Sequence, residues 1–403
     1  MRQEGQPVLF VNAGNSLFRR EQLPRDRVPP ARMTADLILA AYDEMGCDAF
    51  NIGAYDLSLG MDYLLDKQAK ARFPFVSANL VDPHGRHLFQ RYVLKELGGI
   101  KVGIFGLVDA DLKRDKIPAS HKFSVTDPAE AALSAVAEMR AQGAELIVLL
   151  TDMTSRAKRR LAMVGEPIHL IVGSDQRNQI TLPLVVQDSF ITHLDRGGRS
   201  VGRLEVSRAG TEAAGGGARG GPAVGEFLFR HSFVQLLVEM PDHPKVGPMV
   251  ERALKELSTL QEELAKAVST PGDPDCGSEY VGLAACRQCH AGRYQGWAQT
   301  RHARAYQTLV ERKRQFDAEC IACHAVAFEC EEETIDWKAL EGFTNVQCEA
   351  CHGPGSLHVA SGGEEKLVTG RGTLASCRRC HTAERSGVTD LASRLREVCI
   401  EGD

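Results

Sequence analysis

Four short stretches of the chain share one arrangement of cysteine and histidine. In each stretch two cysteines lie three residues apart and a histidine directly follows the second, the pattern C-x-x-C-H. The residues are Cys286, Cys289 and His290; Cys320, Cys323 and His324; Cys348, Cys351 and His352; and Cys377, Cys380 and His381. Two thiols at this spacing can form thioether bonds with the two vinyl groups of one porphyrin, and the adjacent histidine can then bind the iron. We therefore predict four covalently attached c-type haems, each with its motif histidine as an axial ligand.

Two other kinds of site also use paired cysteines. A single C-x-x-C could be half of a zinc site or a redox-active dithiol. Zinc sites, however, do not require a histidine directly after the second cysteine, and four redox dithiols so close together in one chain would be unusual. Haem attachment therefore explains the repeated pattern best.

The sixth coordination position of each iron determines whether a haem transfers electrons or binds small molecules. Besides the motif histidines, the region after residue 276 contains only His302 and His358, and the last methionine of the chain is Met249. We predict that His302 and His358 are distal ligands, because each follows an attachment motif closely. The other two irons then need a ligand from another subunit, from a less usual side chain or from the N-terminal domain, where His231 and His243 are nearest in sequence. Without such a ligand they are open to a small molecule.

The cysteines outside the motifs are few. Of the 12 cysteines, eight belong to the motifs and four remain, namely Cys47, Cys276, Cys330 and Cys399. The last three could include a disulfide pair, but their spacing does not select a pairing.

The first 230 residues alternate apolar, strand-like runs with helical patterns. The predicted strands cover residues 8–13, 49–54, 75–80, 101–108, 145–151 and 169–174. Apolar residues at helical spacing predict one helix in ARMTADLILAAYDEMG and another that begins with Asp127 as N-cap and Pro128 as first residue. Continuous apolar strands between helices predict an α/β layered domain whose sheet is covered on both faces.

The pattern changes after the last of these strands. The segment 191–206 predicts a β-hairpin that turns at Gly197-Gly198. The glycine-rich segment 209–225 predicts a surface loop between two strands, and 244–269 predicts an amphipathic helix. We expect a domain at 1–232, a helical linker at 233–275 and a haem domain at 276–403, in which the porphyrins supply much of the core.

Composition and charge limit the partners. The net charge of −5 provides no general attraction to nucleic acid or to an anionic membrane. The longest apolar runs, such as ELIVLLTDM, are too short to span a bilayer. No signal peptide is visible in MRQEGQPVLF, yet c-type haem is attached outside the cytoplasmic membrane. We therefore expect an exported protein, periplasmic or extracellular, whose partners are redox proteins; the sequence does not indicate an oligomeric state.

From residue 279 onward the chain resembles the multihaem c-type cytochromes typified by the tetrahaem electron carrier of ammonia oxidisers. The stretches that carry the resemblance are the four motifs together with WAQTRHARA and CHGPGSLH. In that family both of these last stretches carry distal ligands. The resemblance therefore implies this role for His302 and His358, although it does not indicate which haem each one binds.

The first 230 residues resemble the 5′-nucleotidase branch of the calcineurin-like metallophosphoesterases. The matching stretches are VLFVNAGNSLF, CDAFNIGAYDLSLG, FPFVSANLVD, KVGIFGLVD, LIVLLTDMT, IHLIVGSD and GRSVGRLEV. The resemblance implies an αββα sandwich in front of a mainly α, haem-cored cytochrome domain. The family's D-x-H motif would lie on a strand before residue 8, so we expect the first strand of the sandwich to be missing from this sequence.

The residues that hold the two metals of that family are replaced in this chain. Asn15 replaces the bridging aspartate of the family's DAGD motif, and Ala54 and Tyr55 replace the asparagine and histidine of its GNHE motif. Three further histidines of the family are replaced by Asp152, Ser174 and Gln176. Alanine, tyrosine, serine and glutamine are poor ligands for a hard cation, although Asp56, Asp152 and Asp175 could bind one weakly. We predict no phosphoesterase activity.

Three functions fit these features. The first is electron transfer through four haems attached to an inactive phosphoesterase-like scaffold. The second is a haem oxidoreductase that converts a small substrate at a five-coordinate iron. The third is a nucleotide- or anion-binding module whose haems respond to redox state, and nothing in the sequence selects a ligand for it.

Overall fold

A computed structural model describes residues 7–112, 117–118, 122–163, 165, 167–174, 183–193, 200–209, 222–237, 240–267, 280–326, 339–364, 373–382 and 391. The chain forms two compact units, Met1–Val250 and Glu251–Asp403. The N-terminal unit is α/β and the described elements of the C-terminal unit are helical. Within the described residues, no helix has both the length and the apolar character that crossing a membrane requires.

The N-terminal unit contains strands that are mostly short. In chain order the strands are β1 (Val11–Asn12), β2 (Ala49–Asn51), β3 (Phe75–Val76), β4 (Leu80–Val81), β5 (Tyr92–Leu97), β6 (Ile100–Leu107), β7 (Ser124–Val125), β8 (Leu146–Thr151), β9 (Leu170–Gly173), β10 (Leu184–Val186), β11 (Ser189–His193), β12 (Ser200–Arg208), β13 (Ala223–Val224) and β14 (Phe227–Gln235). The helices of this unit are α1 (Val28–Met45), α2 (Met61–Lys70), α3 (Pro128–Ala141) and α4 (Ser155–Leu161), followed by α5 (Val246–Ala267), in which the boundary between the units falls.

Two sheets form the centre of the N-terminal unit. The larger has the strand order β10-β11-β9-β8-β6-β5, in which β6, β8, β9 and β11 are parallel, and the smaller is the parallel set β1-β2-β3. Strand β8 is buried along its whole length, as expected for a parallel strand covered on both faces. Parallel strands place their carboxyl ends at one edge, where the loops that carry the predicted metal positions begin.

Most of the predicted elements are confirmed. The helix that starts at Asp127 is α3, and the Asp127 carboxylate accepts the N–H groups of Ala129 at 2.8 Å and Glu130 at 2.9 Å. The predicted strand 75–80 is instead two short strands, β3 and β4. Asn79 lies between them and exchanges hydrogen bonds with the backbone of Val108 at 2.8 and 3.0 Å. Helix α2 and edge strand β5 had no counterpart in the sequence analysis.

The hairpin predicted for residues 191–206 is wrong. Strand β11 pairs in parallel with β9 and antiparallel with β10, and Phe190 and Ile191 are each only 2% exposed. Both edges of β11 are therefore occupied within the core sheet. Strand β12 pairs with β14 in a separate sheet, from Ser200 opposite Gln235 to Arg208 opposite Phe227. The predicted turn at Gly197-Gly198 and most of the glycine-rich loop lie outside the described residues.

After α5, the described part of the C-terminal unit consists of short helices. They are α6 (Gly282–Cys289), α7 (Ala291–Ala298), α8 (Ala305–Glu311), α9 (Ala318–His324), α10 (Glu349–His352), α11 (Ser356–Ala360) and α12 (Leu374–Cys380), with 3-10 turns at His302–Arg304 and Ala339–Phe343. Its buried apolar cluster is small and comprises Leu309, Ile321, Ala325 and Leu340. Aliphatic packing therefore contributes little to the described part of this unit, as its sequence predicts.

Candidate haem-binding site

Each C-x-x-C-H motif lies on a single helical turn. Helices α6, α9 and α12 end in the first, second and fourth motifs, and α10 forms most of the third. In three motifs the histidine N–H donates to the carbonyl of the first cysteine: His290 to Cys286 at 3.0 Å, His352 to Cys348 at 3.0 Å and His381 to Cys377 at 2.8 Å. Residues three apart on a helix lie on one face, so this turn places both thiols on the same side, next to the histidine.

Two of the motif histidines face the two additional histidines. The rings of His290 and His358 have centroids 6.0 Å apart and are nearly parallel, with an interplanar angle of 16°. The rings of His302 and His381 also have centroids 6.0 Å apart, at an angle of 57°. An imidazole nitrogen binds a metal at about 2 Å and lies ~1.1 Å from its ring centre, so two ligands on opposite sides of one iron need centroids about 6 Å apart. Both pairs have the centroid separation that two imidazoles on one iron require.

Hydrogen bonds orient two of the imidazoles. His358 donates from Nδ1 to the carbonyl of Glu364 at 2.9 Å, and His324 donates from Nδ1 to the carbonyl of Ala305 at 2.6 Å. A carbonyl oxygen only accepts, so Nδ1 carries the proton and Nε2 is left as the metal-binding atom. Burial lowers the pKa of His302, and the neighbouring His381 lowers it further. The neutral imidazole that a metal requires is therefore favoured at this position.

The motifs lie next to one another in two pairs. The thiol of Cys286 in the first motif hydrogen-bonds to that of Cys348 in the third, which raises the pKa of Cys286 and lowers that of Cys348. The thiol of Cys380 in the fourth motif likewise contacts Cys323 in the second, and this contact and burial raise the pKa of Cys380. Thiol contacts therefore join the first motif to the third and the second motif to the fourth. The spacing of the motifs along the chain does not predict this arrangement.

Sequence reasoning missed one buried carboxylate in this unit. Glu349 lies between the cysteines of the third motif, is 4% exposed and accepts three backbone hydrogen bonds. The pattern C-x-x-C-H leaves its two middle positions open, so the spacing gave no signal for this residue. An acidic residue between two attachment cysteines was the only hint.

The predicted phosphoesterase positions converge at the carboxyl edge of the N-terminal sheets. Asn15 accepts the N–H of Tyr55 through Oδ1 at 2.8 Å and donates through Nδ2 to the carbonyl of Ser174 at 3.4 Å. The loops approach so closely that a Cβ at Gly53 would lie 2.4 Å from Asn15 Oδ1. The replaced side chains therefore connect the loops at this edge to one another. Gln176 and Asp175 lie outside the described residues.

Asp56 is the most constrained carboxylate at this edge. It is fully buried, and its two oxygens accept four backbone N–H groups at 2.7–2.9 Å. The donors are Asn15 and Gly53 to Oδ2, and Ser16 and Leu17 to Oδ1. Burial raises the pKa of Asp56 to about 6, and the four N–H groups act in the opposite direction. This carboxylate is fully used in joining the two loops.

Asp152 has a similar role on the neighbouring loop. Its Oδ2 accepts the N–H of Ala54 at 2.6 Å and its Oδ1 accepts the N–H of Asp109 at 3.2 Å. Burial raises its pKa to about 7, and the charges of Asp109 and Asp56 also raise it. Among the described residues, no three His, Cys, Asp or Glu side chains are grouped so that they could hold a metal ion. The described residues at this edge therefore do not fit a two-metal centre.

The histidines of the N-terminal unit that are nearest in sequence to the haem motifs are His231 and His243. His231 lies on β14 and packs edge-to-face against Phe233, with ring centroids 4.6 Å apart. His243 accepts the N–H groups of Lys245 and Val246 through Nδ1, each at 3.3 Å, just before α5. Each ring thus has a local role within the N-terminal unit.

Comparison with known proteins agrees with the two units. Residues 285–353 match the family model "Cytochrome c554 and c-prime", a range that includes the first three motifs. The N-terminal unit has the α/β fold of calcineurin-like phosphoesterases, and residues 285–353 of the C-terminal unit resemble a haem c-binding module of the cytochrome c554 kind.

Three relatives show how far these similarities extend. The chain is 35% identical over 111 residues to a 2′,3′-cyclic-nucleotide 2′-phosphodiesterase/3′-nucleotidase of Salmonella typhimurium, covering 25% of this chain and 17% of that protein. It is 29% identical over 91 residues to cytochrome c-554 of Nitrosomonas europaea, covering 19% of this chain and 39% of that protein. The solved structure of the Thermus thermophilus sulfate thiohydrolase SoxB has 18% identity and a TM-score of 0.51, covering 63% of this chain and 44% of that one. The chain thus spans less than half of each of these relatives.

Proposed function

We propose that this chain is a multihaem c-type cytochrome that transfers electrons through four covalently bound haems and that its phosphoesterase-like unit is a catalytically inactive scaffold. Two imidazole pairs carry this proposal, each with its ring centroids 6.0 Å apart, because each joins a motif histidine to one of the two other histidines in the region after residue 276. One iron between the rings of each pair would account for both separations. Because c-type haem is attached outside the cytoplasmic membrane, an exported location and redox proteins as partners follow from the same proposal.

The pairs support an assignment of distal ligands to particular haems. In this proposal His290 and His358 are the axial ligands of the haem attached through Cys286 and Cys289, and His381 and His302 are those of the haem attached at the fourth motif. The cysteines of each motif fix the porphyrin, and the histidine N–H bond to the first cysteine carbonyl fixes the turn that presents the proximal imidazole. Bound haem iron would supply a one-electron couple that these ligands tune.

Contacts between motifs support electron transfer rather than isolated haem sites. Thiols of the first and third motifs touch, as do thiols of the second and fourth, and Arg379 in the fourth motif donates to the carbonyl of Ala350 in the third at 2.7 Å. The porphyrins attached at these cysteines would therefore be close neighbours. Short separations are what a chain of electron carriers needs.

The haem content tests the proposal directly. When the full chain is produced with a c-type haem maturation system, we expect intact mass and the pyridine haemochrome spectrum to give four haems per chain, one for each motif. The double variant Cys286→Ala/Cys289→Ala should retain three. A colourless protein, or zinc bound at these cysteines, would contradict the proposal.

The ligand count also favours a second function, small-molecule chemistry at an open iron. The region after residue 276 has six histidines for eight axial positions and no methionine. The haems whose proximal ligands are His324 and His352 therefore have no histidine or methionine from this region left as a distal ligand. A high-spin fraction in the wild-type spectrum that binds carbon monoxide would favour an oxidoreductase. Iron that is entirely low-spin and does not respond to carbon monoxide would favour a pure electron carrier.

The contacts at the carboxyl edge of the N-terminal sheets lead to the prediction that phosphoesterase activity is absent. Asp56 and Asp152 are occupied by backbone N–H groups, and Asn15 connects two loops, so they are not free to hold two cations. We expect no hydrolysis of nucleotides or phosphate monoesters above background in the presence of Mn²⁺ or Zn²⁺, with an active 5′-nucleotidase as positive control. Metal-dependent turnover that Asp152→Asn abolishes would contradict the scaffold role.

A further inference from the structure

The carboxylate of Glu349 connects three segments of the C-terminal unit. Oε1 accepts the N–H groups of Val281 at 3.0 Å and Gly355 at 2.8 Å, and Oε2 accepts the N–H of Gly282 at 2.8 Å. The residue is 4% exposed. A buried carboxylate is tolerated only where hydrogen bonds replace its hydration, and here all three bonds come from the backbone.

The three N–H groups belong to the segments that carry the first imidazole pair. Val281 and Gly282 form the start of α6, which ends in the first motif and His290. Gly355 closes the Gly-Pro-Gly turn after the third motif and is the N-cap of α11, which carries His358. The unpaired N–H groups at a helix start favour a negative charge, so one carboxylate holds the beginnings of both helices.

We propose that Glu349 is a positioning residue that holds His358 opposite His290 across the haem of the first motif. This inference rests on the proposed function, since it concerns the axial ligands of that haem. Without the carboxylate, the start of α6 and the Gly-Pro-Gly turn lose their common anchor, and the two imidazoles are no longer fixed at the distance one iron requires. Glu349 acts through the backbone and touches neither ring.

The second imidazole pair is held by different contacts, which makes the expected effect selective. The carbonyl of His302 accepts the N–H of Val346 at 3.2 Å, and α12 begins with a capping box formed by Thr373 and Ser376. Loss of Glu349 should therefore release His358 and leave the pair of His302 and His381 in place. A general packing role would instead weaken both pairs or reduce haem content.

The test compares Glu349→Gln with His358→Ala in the full-length protein carrying its haems. Glutamine retains one acceptor oxygen and replaces the other with an NH₂ group, so at least one of the three N–H groups faces a donor. In electron paramagnetic resonance we expect His358→Ala to increase the high-spin signal by one haem per chain relative to wild type. We expect Glu349→Gln to increase the same signal, by one haem per chain at most. Added imidazole should restore the low-spin signal, and the double variant should not exceed His358→Ala.

The control is Glu311→Gln, which removes an exposed carboxylate from the end of α8 in the same unit and should leave the spectrum unchanged. A spectrum of Glu349→Gln that is as low-spin as that of wild type, or an equal loss at both imidazole pairs, would overturn the inference.

If Glu349→Gln does not accumulate, a second variant tests the inference. Glu349→Asp keeps the charge on a shorter side chain and should give an intermediate high-spin fraction. An unchanged spectrum would again overturn the inference. If His358→Ala itself has no effect, the ligand assignment fails instead.

Discussion

Replacing His358 or His302 with alanine is expected to convert one haem per chain from low-spin to high-spin iron. Each residue supplies one of two imidazoles that lie 6.0 Å apart, so each alanine variant removes the sixth ligand of a single iron. The two affected haems differ, being attached at the first and the fourth motif. The effects should therefore add, and the double variant should gain two high-spin haems per chain relative to wild type.

The measurement is the high-spin signal in electron paramagnetic resonance, normalised to haem content, together with binding of carbon monoxide to the reduced protein. His84→Ala provides a matched control, since His84 is exposed in the N-terminal unit and far along the chain from every motif. A high-spin fraction that stays at the wild-type value in both variants would show that neither histidine is an axial ligand. Loss of haem from the variants would instead be visible as a lower haemochrome value per chain.

The second large effect is expected for Asp56→Asn in the N-terminal unit. Each oxygen of the Asp56 carboxylate accepts two backbone N–H groups. Asparagine retains only one of the two oxygens, so two N–H groups lose their acceptor and face an NH₂ donor in a buried site. With charge-assisted bonds worth about 1.5–3 kcal/mol each, we expect the free energy of unfolding to fall by about 3–5 kcal/mol.

Thermal unfolding followed by two signals can locate this effect. Far-UV circular dichroism reports on the secondary structure of both units, whereas the Soret band reports on the C-terminal unit alone. For a unit of this size, a loss of about 3–5 kcal/mol lowers the melting temperature by roughly 6–20 °C, and we expect this shift in the dichroism but not in the Soret band. The control Asp111→Asn changes an exposed carboxyl in the same unit and should shift neither. A change below about 1 kcal/mol in Asp56→Asn would mean that the loop contacts reorganise without cost.

The attachment residues of the haem unit and the class of the first unit were accessible from the sequence. The C-x-x-C-H motif involves only residues that are adjacent in the sequence. One helical turn places both thiols and the histidine, so the geometry of the motif follows from its spacing. The same is true of α3, whose start depends on Asp127 and Pro128 alone. Continuous apolar runs identified β6, β8 and β9 of the parallel sheet because these strands are largely buried.

The hairpin prediction shows where local patterns fail. The sequence of residues 191–206 has the glycine turn and the alternation that a hairpin needs, but strand pairing depends on which edges are free. β9 and β10 occupy both edges of β11. β12 pairs with β14, which lies about thirty residues further along the chain. Competition between distant strands is not visible in a local pattern.

The sequence by itself determined the chemistry of this protein, namely which residues can attach haem, how many histidines are left to serve as distal ligands, and that the phosphoesterase ligands are replaced. Only the tertiary structure decided which histidines face each other, which motifs lie side by side, and that Glu349 and Asp56 are satisfied by backbone N–H groups. The reason is physical. Attachment depends on neighbours in the chain, whereas axial pairing and the burial of a carboxylate depend on segments that meet only when the chain folds.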